Sequence, residues 1–233
     1  MTTLPEIIGA FVTDTFGLVG IPGGSVAAAL TIGYFHRRDE LARDILFEEL
    51  RLANITDARA ASEDDAIAVI VRYLRAAREG AARLNIRLLA KVIAGQVRSG
   101  SLVADEFLQY AEALASLSRD EIIVIGTLHR ISDAYKNLAV AATDPVEAHK
   151  YVDPWLPTQR ELTNMGMSEE LVATAAARAQ RSGLIYGVPG PAYPSQNPDL
   201  SSLPGYRISP LLADLARTVD FEDALRKEAA RRD

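Results

Sequence analysis

The chain of 233 residues contains no cysteine. Disulfides, thiolate nucleophiles and zinc–cysteine sites are thereby excluded. That lack fits a reducing compartment, and a cytoplasmic location is expected. Histidine occurs only at His36, His129 and His149, never in a His-Glu-x-x-His arrangement. His36 and Glu40 share one helix face, but two ligands are too few for zinc. His129, beside Arg130 on a helix, reads as a surface or boundary residue. No metal and no cofactor are expected. A serine nucleophile needs a Gly-x-Ser-x-Gly elbow fed by a strand, and the "SGS" of Ser99–Ser101 has no such strand. Asp64 and Asp65 are better explained as a helix start than as an acid–base pair. No residue is assigned a catalytic role, and the sequence weighs against an enzyme. An excess of positive charge is missing too. Lys and Arg total 25 against 31 Asp and Glu, a net charge of −6, which argues against a dedicated nucleic-acid binder.

Aromatics make up 6% of the chain, apolar residues 48% and charged residues 24%. That balance is globular, with enough chain for one or two cores. Alanine, leucine, arginine and glutamate dominate and favour helices. The opening "MTTLPEIIGAF" carries Glu6 and neither Lys nor Arg, so no cleaved secretory signal is expected.

An unbroken apolar helix of membrane length is also lacking, although one stretch comes close. Phe16 to Phe35 is uncharged, but Gly20, Pro22, Gly23 and Gly24 interrupt it. Proline removes a helix hydrogen bond and the glycines weaken the backbone further. Ser25 then caps a new helix, and Val26 to Phe35 is too short to span. The spacing of Leu30, Leu41 and Ile45 predicts one amphipathic helix from about Ser25 to Ala53, preceded by a short helix over Leu4–Leu18. Two other readings exist. The small residues suit a membrane-inserting hairpin, so segment 16–35 is a candidate membrane contact. The Gly-x-x-Gly-Gly-Ser run precedes a helix as phosphate loops do, but it lacks their lysine and a leading strand.

Ser62 followed by Glu63, Asp64 and Asp65 starts the next helix. Ile70, Leu74, Ala77, Ala81, Leu84, Leu88 and Val92 continue one apolar face until the "SGS", with a kink expected at Gly80. Arg72, Arg83, Arg87, Lys91 and Arg98 line the opposite face. Such a basic stripe can dock on nucleic acid or anionic lipid. The competing reading is a solvated face paired with Glu48, Glu49 or Glu112, Glu79 already standing four residues before Arg83. Asn85, on the apolar face, reads as a satisfied core polar group.

After "LVADEFLQYAEALASL", a capping box at Ser118 and Glu121 opens a helix with Ile122, Ile125, Leu128 and Leu138 as its core stripe. Pro154 and Pro157 bracket Trp155, expected to pack against a neighbouring helix end. "MSEELVATAAARAQRSG" is a helix capped by Ser168 and stopped at Gly183. "LIYGV" and "YRIS" read as strands about a proline-rich loop, and Ser209-Pro210 starts another helix.

The fold class expected is therefore mainly α, an N-terminal helical bundle followed by a module with a small β-hairpin. From Ser118 to Val219, "SRDEIIVIGTLHRI", "MSEELVATAAARAQRSGLIYG" and "YRISPLLADLA" resemble a winged helix-turn-helix domain. The layout and "RLNIRLLAKVIAG" are also similar to abortive-infection alpha-type bacterial proteins. The domains expected are 1–117, helical; 118–220, winged-helix-like; and 221–233, a charged terminal helix or tail. The resemblance implies that the helix from Ser168 would enter a DNA major groove, with Arg178, Arg181 and Arg207 as DNA or anion contacts. The chemistry of that helix points elsewhere. Glu169 and Glu170 stand where bases would be read, and Ser118–Asp220 holds nine Lys or Arg against twelve Asp or Glu, a net of −3. The expectation is a non-enzymatic interaction or regulatory protein, a homo-oligomer or bound to a protein partner. The alternatives are a DNA-binding transcriptional regulator and a membrane-acting phage-defence protein.

Overall fold

The computed structural model describes residues 26–55, 62–100, 102–141, 153–189 and 205–230, with side chains in the first segment from residue 33. The expected Leu4–Leu18 helix, the Gly20–Gly24 break, the apolar side chains before Gly33, His149 and the proline-rich loop lie outside those residues. The protein is mainly helical, with a small antiparallel sheet of two strands near the C-terminus. No helix among the described residues is long and apolar enough to cross a membrane. Two compact units divide the chain: residues 1–116 with 217–233, and residues 117–216.

The first unit contains α1 (Val26–Leu52), α2 (Glu63–Arg78), α3 (Arg83–Ser99), α4 (Ala104–Ala115) and, from the far end of the chain, α9 (Phe221–Ala229). Each start has a local cause. Ser62 Oγ accepts the Asp65 amide at 3.0 Å and caps α2, while Asp220 Oδ1 does the same for Asp223 at 2.9 Å on α9. Ile45, Leu46, Ile70, Tyr73, Leu88, Ile93 and Phe107 are fully enclosed, and each such side chain contributes about 1.5–3 kcal/mol by leaving water. Asn85 is buried in this core and donates to the Leu114 carbonyl at 2.6 Å.

The expected single helix through Gly80 is two helices. Gly80 takes φ +93°, a left-handed conformation that ends a helix and suits glycine. Arg38 of α1 holds the break, its Nε donating to the Ala77 carbonyl at 2.8 Å and its Nη2 to that of Ala81. Arg78 forks onto the Asp39 carboxylate.

The second unit contains α5 (Arg119–Ala141), α6 (Trp155–Asn164), α7 (Glu169–Ala179) with a 3-10 turn (Gln180–Ser182), β1 (Ile185–Val188), β2 (Gly205–Ile208) and α8 (Pro210–Leu215). The capping box is reciprocal: the Ser118 amide donates to Glu121 Oε2 at 2.6 Å, and the Glu121 amide to Ser118 Oγ at 3.3 Å. Ile122, Val124, Ile125 and Leu128 of α5 are buried, as are Leu162, Val172, Ala176, Ala179, Leu184 and Leu212. Leu138 departs from the expected stripe. It is 45% exposed, because from Asp133 to Ala141 no residue of α5 is buried. Trp155 packs edge-on against Tyr206 of the second strand, with ring centroids 4.8 Å apart. The strands pair Ile185 with Ile208, Tyr186 with Arg207, Gly187 with Tyr206 and Val188 with Gly205.

Candidate functional site

Two places gather the residues singled out by the sequence. The first is the face of α3 that carries Arg83, Arg87 and Lys91, spaced one turn apart. Arg87 has no solvent exposure. A guanidinium in that position is costly to desolvate unless its donors are met. Here Nε donates to Glu228 at 2.8 Å, Nη2 to Glu48 at 3.2 Å, and Nη1 to Glu49. Two of those carboxylates come from α1 and one from α9. Arg83 Nε reaches Glu228 at 3.2 Å. Lys91 Nζ bridges Glu49 at 3.2 Å and Asp223 at 2.6 Å. Lys227 of α9 returns the charge, lying 3.2 Å from Glu49 and 2.9 Å from Asp223.

Electrostatics follow from this enclosure. Burial alone would lower the Arg87 pKa, but its hydrogen bonds to the carboxylates of Glu228, Glu49 and Glu48 raise it above its ordinary value. Burial likewise pushes the Asp223 carboxyl up, yet Lys91, Lys227 and Arg226 hold it well below the usual carboxylate range. Tyr73 beside them is pushed well above an ordinary phenol by burial, with Arg87 acting in the opposite sense. Its hydroxyl donates to the Ala42 carbonyl at 2.8 Å.

The other stripe residues are elsewhere. Arg72 is on α2 and lies 3.7 Å from Glu79, and Arg98 is exposed in the last turn of α3. Arg72 and the α3 cations therefore do not form one continuous helix face, since the Gly80 break separates them. Glu49 and Glu48 lay within reach of sequence reasoning as neighbours of the stripe. Asp223, Lys227 and Glu228 did not, because the final segment reads as a charged terminal helix or tail with no partner assigned to it. Its apolar spacing, Phe221, Ala224 and Leu225, was the available signal that one face packs.

The second place is α7 and its surroundings. Met165, Gly166 and Met167 separate α6 from α7, with Gly166 at φ +92°. Ser168 Oγ caps α7 by accepting the Leu171 amide at 3.2 Å. Val172, Ala175, Ala176 and Ala179 face the core, leaving Glu169, Glu170, Leu171, Thr174, Ala177 and Arg178 exposed. Arg181 follows in the 3-10 turn, exposed and 4.0 Å from Glu121. Arg207 stands on β2, half-buried, opposite the exposed Tyr186. So Arg178 and Arg181 share the C-terminal end of α7, and Arg207 belongs to the sheet.

Histidines add no centre among the described residues. His36 lies 3.3 Å from Glu40, and His129 3.5 Å from Asp133. No cluster of three or more His, Cys, Asp or Glu able to hold a metal is found among the described residues. No protein-family model, curated protein or solved structure matches the chain.

Proposed function

We propose that the chain is a non-enzymatic interaction or regulatory protein, and that residues 117–216 act as a winged-helix-like module used for protein contacts. The order helix, Gly-containing turn, capped helix, paired strands supports the winged-helix reading. The exposed face of α7 is the observation that carries the protein-contact reading. Its first turn offers Glu169 and Glu170, with Leu171 and the 61% exposed Met165 alongside. Two carboxylates there repel phosphate, while exposed apolar side chains gain by leaving water against another protein. A second copy of the chain is the partner this reading favours.

Two measurements test it together. Fluorescence anisotropy of a labelled random duplex at low salt is expected to stay flat up to roughly 100 µM protein, where non-specific DNA binders bind. Sedimentation velocity is expected to show self-association that Leu171→Asp weakens. Salt-sensitive duplex binding lost in the Arg178→Ala, Arg181→Ala, Arg207→Ala triple variant would replace this reading with a DNA-binding regulator. A chain monomeric at every concentration, with L171D indistinguishable from it, would remove the self-contact.

A further inference from the structure

Helix α9 returns to the first unit after the whole second unit has been traversed, and it lies on the cation ladder of α3. Its fit there is chemical more than apolar. Only Phe221 and Ala224 among its apolar residues are buried. Against that small anchor stand the pairs Asp223–Lys91, Glu228–Arg87, Glu228–Arg83 and Lys227–Glu49. A helix of nine residues does not hold its shape alone in water. When α9 lifts, both partners of each pair meet water, or the same groups on another helix, so neither is left as an uncompensated buried charge.

Lifting α9 also strands no buried charge. Arg87 keeps Glu48 and Glu49 from α1, and Lys91 keeps Glu49. What opens is a row of three cations with two carboxylates beside it. Nucleic acid fits this row poorly, since Glu48 and Glu49 repel phosphate and Glu49 calls for a cation where Lys227 had been. A helix with the charge order of α9 meets every one of these demands.

We propose that α9 is a displaceable latch, and that the face of α3 beneath it docks a helix of a partner protein with the same pattern. That pattern is an apolar residue, a carboxylate two positions on, a lysine six on and a carboxylate seven on, as Phe221, Asp223, Lys227 and Glu228 supply it. Because α9 is tethered, it competes at a millimolar effective concentration, so the closed form prevails until such a partner arrives. The surface is distinct from α7, and the inference stands independently of the function proposed for that helix.

Hydrogen–deuterium exchange on the intact chain tests the latch. Amides of α9 are expected to exchange about tenfold or more faster than those of α3, as a separately opening element does. Equal protection of the two helices would overturn the proposal. A fluorescein-labelled peptide of residues 217–230 then probes the seat in trans. It is expected to bind the full-length Asp223→Lys, Glu228→Lys variant about tenfold or more tighter than the wild-type chain, whose own latch competes. Adding Arg83→Glu and Lys91→Glu is expected to abolish that binding. Peptide binding no tighter than to wild type would overturn the proposal. So would duplex DNA binding to the opened variant in preference to the peptide. The milder Asp223→Asn, Glu228→Gln chain guards against a folding defect: collapse of its helical circular dichroism would make α9 a fixed part of the core, and the latch would fail.

Discussion

Arg87 is the residue on which the first unit turns. Each of its three nitrogens donates to a carboxylate, and those carboxylates come from two helices, so its burial is compensated rather than strained. Replacing it leaves Glu48, Glu49 and Glu228 with one cation fewer in a low-dielectric setting. Arg87→Met is expected to destabilise the unit by about 3–5 kcal/mol, the range for breaking a buried pair, seen as a lower urea midpoint. Arg87→Lys keeps the charge but loses the fork, and falls between wild type and R87M. Gly95 is a second fixed point. A Cβ there would sit 2.6 Å from Thr218 Cβ and 3.2 Å from its Cα, in the segment leading to α9. Gly95→Ala is therefore expected to cost about 1–3 kcal/mol as overpacking. Thr218→Gly makes room, so the double variant should lose less than the sum of the singles in a denaturation cycle.

At the scale of elements, α9 makes stability depend on acid pH. Asp223 is held well below its ordinary value of 3.8 by Lys91, Lys227 and Arg226. The unfolded chain then binds more protons than the folded one at acid pH, so stability rises with pH in that window. The contribution is complete above about pH 5 and is lost as pH falls below it towards the depressed folded value. Asp223→Asn should flatten that slope, measured as urea midpoints between about pH 6 and pH 3. The same elements show what the sequence could carry. The Ser62, Ser118, Ser168 and Ser209 starts are local, each a side chain meeting an amide three residues on, and all four were legible. Gly80 was legible as a weak point but not as a full stop, because the clamp from Arg38 crosses 39 residues to Ala77. Leu138 kept the helical spacing of its stripe but misled, since periodicity says which side a residue faces and not where the covering elements end. The Arg87–Glu228 pair spans 141 residues, and no local spacing announces it.

For the whole molecule, the order of the chain makes the first unit discontinuous. Residues 1–116 are completed by 217–233, with 117–216 intervening as its own compact unit. Among the described residues, the last segment contributes to the first unit Val219, Phe221 and Ala224 in its core, Asp223 and Glu228 on the cations of α3, and Lys227 on Glu49 of α1. A chain ending at Ala216 loses all of these and nothing from the core of α5, α6 and α7. It is expected to retain its helices, because Arg87 and Lys91 keep their α1 carboxylates, but to lose stability in the first unit alone. Hydrogen–deuterium exchange should show faster opening of α1 and α3, with α5 and α7 protected as in the full chain. If α5 and α7 lose protection to the same degree, the two units share one cooperative transition. The C-terminal segment would then close the whole chain rather than one half of it.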